Sequence, residues 1–248
     1  MYDSQHPLDR VAEQLEARAE QAYVNQQPSS EFLEIDNAAD DSVGAYPQAV
    51  HRDDSMEFDS ELQPSGFSLP TVTLENHAKL TDVISSTAEP GDGFTMNQRT
   101  LDIFTKFKLG RHAIYPVTVR QKKSLFRAEK HSYFYLHFEN KIDDLIDFEN
   151  STFYVEDTLG EFVADISVSS LEQFMEINRA ITDEEHPQFE FGSSVSKKML
   201  ILLNNRKPES DLFSFERISI TKFVKSSLGN ELTNAGISGL KLSPSKRL

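Results

Sequence analysis

The sequence predicts an α+β protein: a mostly antiparallel sheet with several packed helices, preceded by an N-terminal amphipathic helix. Three observations predict it. Apolar residues alternate at period two in several short runs, and they recur at helical spacing in others. The two kinds of run are interleaved irregularly, with hairpin turns between strands, which is not the regular alternation of a doubly wound parallel sheet.

The first element expected is a helix over residues 7–26. Leu8, Val11, Ala12, Leu15, Ala19, Ala22 and Tyr23 fall on one stripe, Pro7 suits the first turn, and Pro28 ends the pattern. Residues 1–28 are therefore read as a helical extension. Residues 29–65 read as an acidic, partly mobile segment with one short strand at Phe32, Leu33 and Ile35, because Asp40, Asp41, Asp53, Asp54, Glu57, Asp59 and Glu61 dilute the apolar content. Residues 66–248 form the α+β domain.

Within that domain Thr71–Leu74 and Leu80–Ile84 are short extended candidates, and residues 89–93, Glu-Pro-Gly-Asp-Gly, spell a turn. Asn97 to Lys108 carries Leu101, Ile103, Phe104 and Phe107 at helical spacing, with Leu109 and Gly110 as its expected close. Strands are expected at 113–119, 132–138, 152–155 and 162–168, the last two joined by the hairpin turn Asp157-Thr-Leu-Gly160. Residues 170–181 read as an amphipathic helix, 199–203 as a buried strand, 212–215 as an extended piece and 221–234 as a helix closed at Ala235-Gly236. A final strand is expected at 237–242.

Composition narrows the function classes. Of 248 residues 38% are hydrophobic and eighteen are Phe, enough for a real core. There is no Cys, so disulfides, thiolate metal sites and cysteine nucleophiles are excluded. No apolar run approaches the ~20 residues of a membrane span. Met1–Pro7 has neither the basic nor the apolar region of a secretory signal, so a cytoplasmic protein is expected.

The net charge is −15, unevenly spread. Residues 139–190 hold fifteen Asp and Glu against Lys141 and Arg179 alone, and residues 1–65 hold fifteen against three Arg. That distribution disfavours nucleic acid or an anionic membrane as partner and suits a basic protein.

No catalytic motif is present: no P-loop, no Gly-x-Ser-x-Gly elbow, no His-Glu-x-x-His. His131 and His137 would lie roughly 20 Å apart on a strand, too far to share a metal. A calcium loop starting at Asp147 would need glycine and an acid where Thr152 and Thr158 stand. Asp147 and Glu149 on one strand face, with His137, are the basis of an alternative carboxylate-dependent hydrolase reading; a turn between strands explains the same carboxylates. No cofactor, metal or catalytic residue is expected.

Four segments carry a resemblance: Leu80-Thr-Asp-Val-Ile84 with Phe94-Thr-Met-Asn97; Tyr115-Pro-Val117; Tyr133 to Phe138 running on to Ile146 to Ser151; and the ending Leu232-x-x-Ala235-Gly236-Ile-x-Gly239-Leu240-x-Leu-x-Pro244. In order and spacing, over residues 31–244, they resemble a family of bacterial polymorphic-toxin immunity proteins, first catalogued as a domain of unknown function. The resemblance implies an antitoxin of interbacterial competition, as in type VI secretion, that binds a cognate toxin effector domain and occludes its active site or substrate path. The contact surface expected from charge is Asp143, Asp144, Glu172, Glu176, Asp183, Glu184, Glu185 and Glu190, facing a basic surface on the toxin. A further alternative is a non-catalytic scaffold that recruits its partner through helix 7–26.

Overall fold

The structure is a computed structural model. It describes residues 29–51, 62, 67, 69–87, 89, 91–124, 127–182, 188–189, 192–203, 206–245 and 248. The helix expected at 7–26 and most of the acidic stretch 52–66 lie outside the described residues.

In chain order the first strands are β1 (Ser29–Asn37), β2 (Ala49–Val50), β3 (Val72–Leu74), β4 (Val83–Ile84) and β5 (Gly93–Met96). Helix α1 (Gln98–Phe104) precedes the long pair β6 (His112–Lys122) and β7 (Ala128–Phe138). A 3-10 turn (Asp143–Leu145) leads to β8 (Thr152–Glu156), β9 (Phe162–Ile166) and helix α2 (Leu171–Thr182). Then come β10 (Ser194–Met199), β11 (Leu212–Ser214), β12 (Lys222–Lys225), helix α3 (Ser226–Asn234) and β13 (Leu240–Ser245).

The expected fold class is corrected by this inventory. Strand accounts for 39% of the described residues and helix for 16%, with three α-helices against three sheets, so the protein is mainly β and not an α+β fold with several packed helices. The physical reason lies in the central sheet, ordered β11-β12-β1-β13. Along β11 and β12 both its faces are buried, so these strands read as short apolar runs, which periodicity alone does not distinguish from helix. Residues 221–234 illustrate this. Phe223 and Val224 point to opposite faces of β12, paired with Glu34 and Leu33 of β1, and helix begins only at Ser226.

Three cores hold the layers. On one face of the central sheet Phe32, Phe213 and Phe223 pack with Phe153, Val155 and Val195 of the three-stranded sheet β10-β8-β9 and with Phe174 and Ile181 of α2. On the other face Ile35, Leu212 and Val224 meet Phe94, Met96, Leu136 and Phe138 of the six-stranded sheet β2-β3-β6-β7-β5-β4, together with α1 and α3. The third core covers the far side of that sheet, where Tyr115, Val117, Tyr133 and Tyr135 lie beside Val72 and Leu74 of the neighbouring β3 and pack with Leu69. All named strand pairs are antiparallel except β3 with β6.

Several boundaries move for identifiable reasons. The first strand is nine residues long and central, bonded on both sides by β12 and β13, not a short strand in an acidic segment. Helix α1 starts as expected, with Asn97 Oδ1 accepting the Thr100 N–H at 3.0 Å, but stops at Phe104. Gly110, the expected cap, instead lies against the Asn140 side chain, whose Oδ1 accepts the Arg111 N–H at 2.8 Å. The strand expected at 199–203 sits earlier, at 194–199, where Ser and Lys residues dilute the apolar pattern.

Candidate partner-binding surface

The acidic block folds into the β10-β8-β9 sheet and α2. At the hairpin tip the Asp157 carboxylate accepts the N–H groups of Leu159 at 2.8 Å and Glu161 at 2.9 Å, while Gly160 N–H reaches the Asp157 carbonyl at 3.0 Å. Such side-chain closure of a turn is what Asp provides. It leaves Leu159 82% and Phe162 62% exposed. The Phe162 ring rests 5.9 Å from Tyr154 on the outer face of the hairpin.

Among the described residues strand β9 is an edge. There it pairs with β8 alone, and the register shifts between Val155 and Glu156, so that Val163 is a bulged residue between the Phe162–Glu156 and Ala164–Val155 pairs. Helix α2 crosses the inner face of the sheet. The Phe174 ring packs 5.6 Å from Phe153, Ser170 Oγ accepts the Gln173 N–H at 3.1 Å, and Asn178 Oδ1 takes the Val195 N–H at 2.9 Å. Between β9 and α2 runs an open groove of about 460 Å³, lined by Val163, Asp165, Ile166, Ile177 and Phe189 among others.

Exposed carboxylates are frequent in this stretch of chain, and Asp165 lines the groove itself. Asp144, Glu149, Glu161, Asp165, Glu172 and Glu176 are all exposed, and none of the ion pairs among the described residues involves them. Their field is therefore directed at solvent instead of being neutralised internally.

Of the residues expected from the sequence, Asp144, Glu172 and Glu176 are on the exposed surface. Asp143 is not. It is 6% exposed, and its carboxylate accepts the N–H groups of Glu216 at 2.6 Å, Arg217 at 3.0 Å and Ile218 at 3.3 Å. Its place in the contact surface is corrected: it ties the 3-10 turn to the approach of β12. Asp183, Glu184, Glu185 and Glu190 lie outside the described residues.

Asp147 and Glu149 do not lie on a strand. Asp147 opens and Glu149 lies within a turn in which the Asp147 carboxylate accepts the Asn150 N–H at 3.2 Å and Nδ2–H at 2.9 Å. His137 is buried on β7, its ring 5.8 Å from Tyr135 in the six-stranded sheet. No three His, Asp or Glu among the described residues are grouped to hold a metal. No helix among them is long and apolar enough to cross a membrane.

No family model matches the chain, and no curated protein matches it either.

Sequence reasoning missed Leu159, Glu161, Phe162, Val163 and Asp165 as surface residues. Phe162-Val-Ala-Asp-Ile166 reads as a strand, but its exposure depends on strand order, which no local pattern carries. The hairpin tip was the available signal, since a two-strand excursion places its far strand at an edge unless another segment returns to cover it.

Proposed function

We propose that the protein is a non-catalytic binding protein: a cytoplasmic antitoxin of the immunity class that captures a basic effector domain and blocks its active site or substrate path. One observation carries the reading. The exposed carboxylates Asp144, Glu149, Glu161, Asp165, Glu172 and Glu176 lack internal ion pairs among the described residues and belong to the same stretch of chain as an apolar groove that Asp165 lines. Apolar contacts would hold the partner, and the carboxylates would speed encounter and exclude acidic competitors. The segment resemblance to immunity proteins supplies the antitoxin role, and the acidic surface supplies the partner's sign.

Co-expression with the toxic C-terminal domain of a secreted protein, identified by sequencing the gene's neighbourhood, scored as growth rescue and co-purification, tests the class. Rescue with co-purification is the expected result; continued toxicity with no complex overturns the reading. The variant Glu161→Lys/Asp165→Lys/Glu172→Lys/Glu176→Lys is expected to slow association by about ten-fold or more at low salt and to flatten its salt dependence.

A further inference from the structure

We infer that the protein carries a second docking surface, opposite in sign to the first and independent of the antitoxin reading. It is one face of the β6–β7 ribbon, and it takes a short acidic segment of a protein partner. Residues 118–131 carry Arg120, Lys122, Lys123, Arg127 and Lys130 against Glu129 alone, in a chain whose net charge is −15. β3 pairs with β6 as far as Arg120, and β5 pairs with β7 from Phe134 to His137. Past those points, among the described residues, β6 and β7 run on paired only with each other.

The register sorts the cations onto two faces. Directly opposite residues of an antiparallel pair share a face, and the register is unbroken from His112–Phe138 to Lys122–Ala128. Gln121 and Glu129 lie on the face that continues inward as Val119, Val117 and Tyr133, all buried. Glu129 takes the Lys123 ammonium and the Arg127 guanidinium, each at 3.5 Å, so most of the charge there is offset internally. On the opposite face Arg120 stands directly across from Lys130, with Lys122 two residues along and the Thr118–Ser132 pair beside them. All three cations are exposed, and none has an ion pair among the described residues. Like charges directly opposite weaken a strand pair, so the sheet gains nothing from Arg120 facing Lys130. An anion between the two side chains removes the repulsion.

Spacing and total charge choose the anion. Arg120 and Lys122 are about 7 Å apart along the strand, and Lys130 lies about 5 Å across from Arg120. Alternate side chains of an extended peptide repeat at the same interval of about 7 Å, so Asp or Glu at every second position matches the cations. The Arg120 guanidinium is suited to hold a carboxylate through two parallel N–H groups. A nucleic acid or an anionic membrane carries its charge well past the ribbon, where the net negative charge of the chain opposes it over a Debye length of roughly 8 Å. A short acidic segment ends where the cations end.

The test uses the full chain and three labelled probes. These are the octapeptide Glu-Thr-Glu-Val-Glu-Thr-Glu-Val, the same peptide with Gln in place of each Glu, and an oligothymidylate of about eight nucleotides. Binding is followed by fluorescence anisotropy and the site by chemical shifts in the ¹⁵N-labelled protein. The Glu peptide is expected to bind with shifted amides confined to residues 118–132, and about ten-fold more weakly when salt rises from about 50 to about 500 mM. Arg120→Gln/Lys130→Gln should weaken it about ten-fold, while Lys123→Gln/Arg127→Gln, which removes the same charge from the other face, should weaken it less than about three-fold. The Gln peptide should not bind. Lys130→Gln should hold or raise the thermal unfolding midpoint.

Failure of the Glu peptide to bind, or equal losses in the two double variants, overturns the inference. So does a lower midpoint in Lys130→Gln, because the lysine then serves the fold. Thymidylate binding as tight as that of the peptide overturns it in favour of nucleic acid. Self-association that is lost in Arg120→Gln/Lys130→Gln overturns it in favour of a second copy. Tighter peptide binding by a variant neutralised at Asp53, Asp54, Glu57, Asp59 and Glu61 overturns it in favour of the chain's own carboxylates.

Discussion

Asp143 and Glu89 are both buried carboxylates, and their surroundings treat them oppositely. Asp143 accepts three main-chain N–H groups, so its charge is satisfied where it sits. Asp143→Ala strands those donors and should cost about 3 kcal/mol in urea unfolding, while the folded variant keeps its affinity for the effector domain. Glu89 has its Oε1 enclosed with no hydrogen-bond partner, although the side chain as a whole is partly exposed. Burial pushes its carboxyl up to about 7, against hydrogen bonds from Thr95 and Ser86 and the attraction of Lys222. The folded state therefore holds the proton more tightly than the unfolded chain. The relative stabilisation is fully present below the ordinary value of 4.5 and is lost as pH rises through about 7. Denaturation midpoints of the wild type, taken relative to Glu89→Gln, should fall between about pH 5 and pH 8. Neither role was legible beforehand, because both depend on loops brought together from distant parts of the chain.

At the scale of elements, the end of the closing helix was legible, although the helix starts at Ser226 instead of 221 and the last strand runs over 240–245 instead of 237–242. Helix α3 ends in a hydrogen-bonded pattern readable from Ala235-Gly236: Gly236 N–H donates to Thr233 O at 2.9 Å and Ile237 N–H to Leu232 O at 3.1 Å. Gly236 has φ +64° with open space around it, so Gly236→Ala should cost only about 1 kcal/mol. Three residues on, Gly239 has φ +85° and lies against the Val83 carbonyl, where an added Cβ would collide with backbone. Gly239→Ala should cost at least about 3 kcal/mol, since β4 or β13 must move as well. Thermal unfolding of the two variants measures the contrast. Asp82 reinforces the same junction. Burial alone would raise its carboxyl, but the Ser238 N–H and hydroxyl, Asn97 and Arg99 hold it below its usual range.

For the whole molecule, the central sheet is the part on which the other layers depend. Phe223 is fully buried, stacked 5.6 Å from Phe213 and meeting Phe215 edge to face. Phe223→Ala should lose about 3–5 kcal/mol of unfolding free energy, at the upper end if the packed neighbours cannot collapse into the space. The charge distribution acts at this scale too. The acidic block was visible in the composition of residues 139–190, yet whether its carboxylates face solvent was decided by folding. Folding put Glu172 and Glu176 on the open side of α2 and withdrew Asp143 to cap a loop.

Local information in the chain therefore determined a good deal. Alternation in Tyr133-Phe-Tyr-Leu-His-Phe138, the Asp157-to-Gly160 turn and the Gly236 helix end each reflect forces acting over a few residues, and each element appears where those forces put it. Only the tertiary structure decided that Phe223-Val224 is a strand, because burial of both faces comes from the layers on either side. Strand order among the described residues likewise made β9 an edge and left Phe162 exposed, since pairing partners far apart in sequence determine which strand lies outermost.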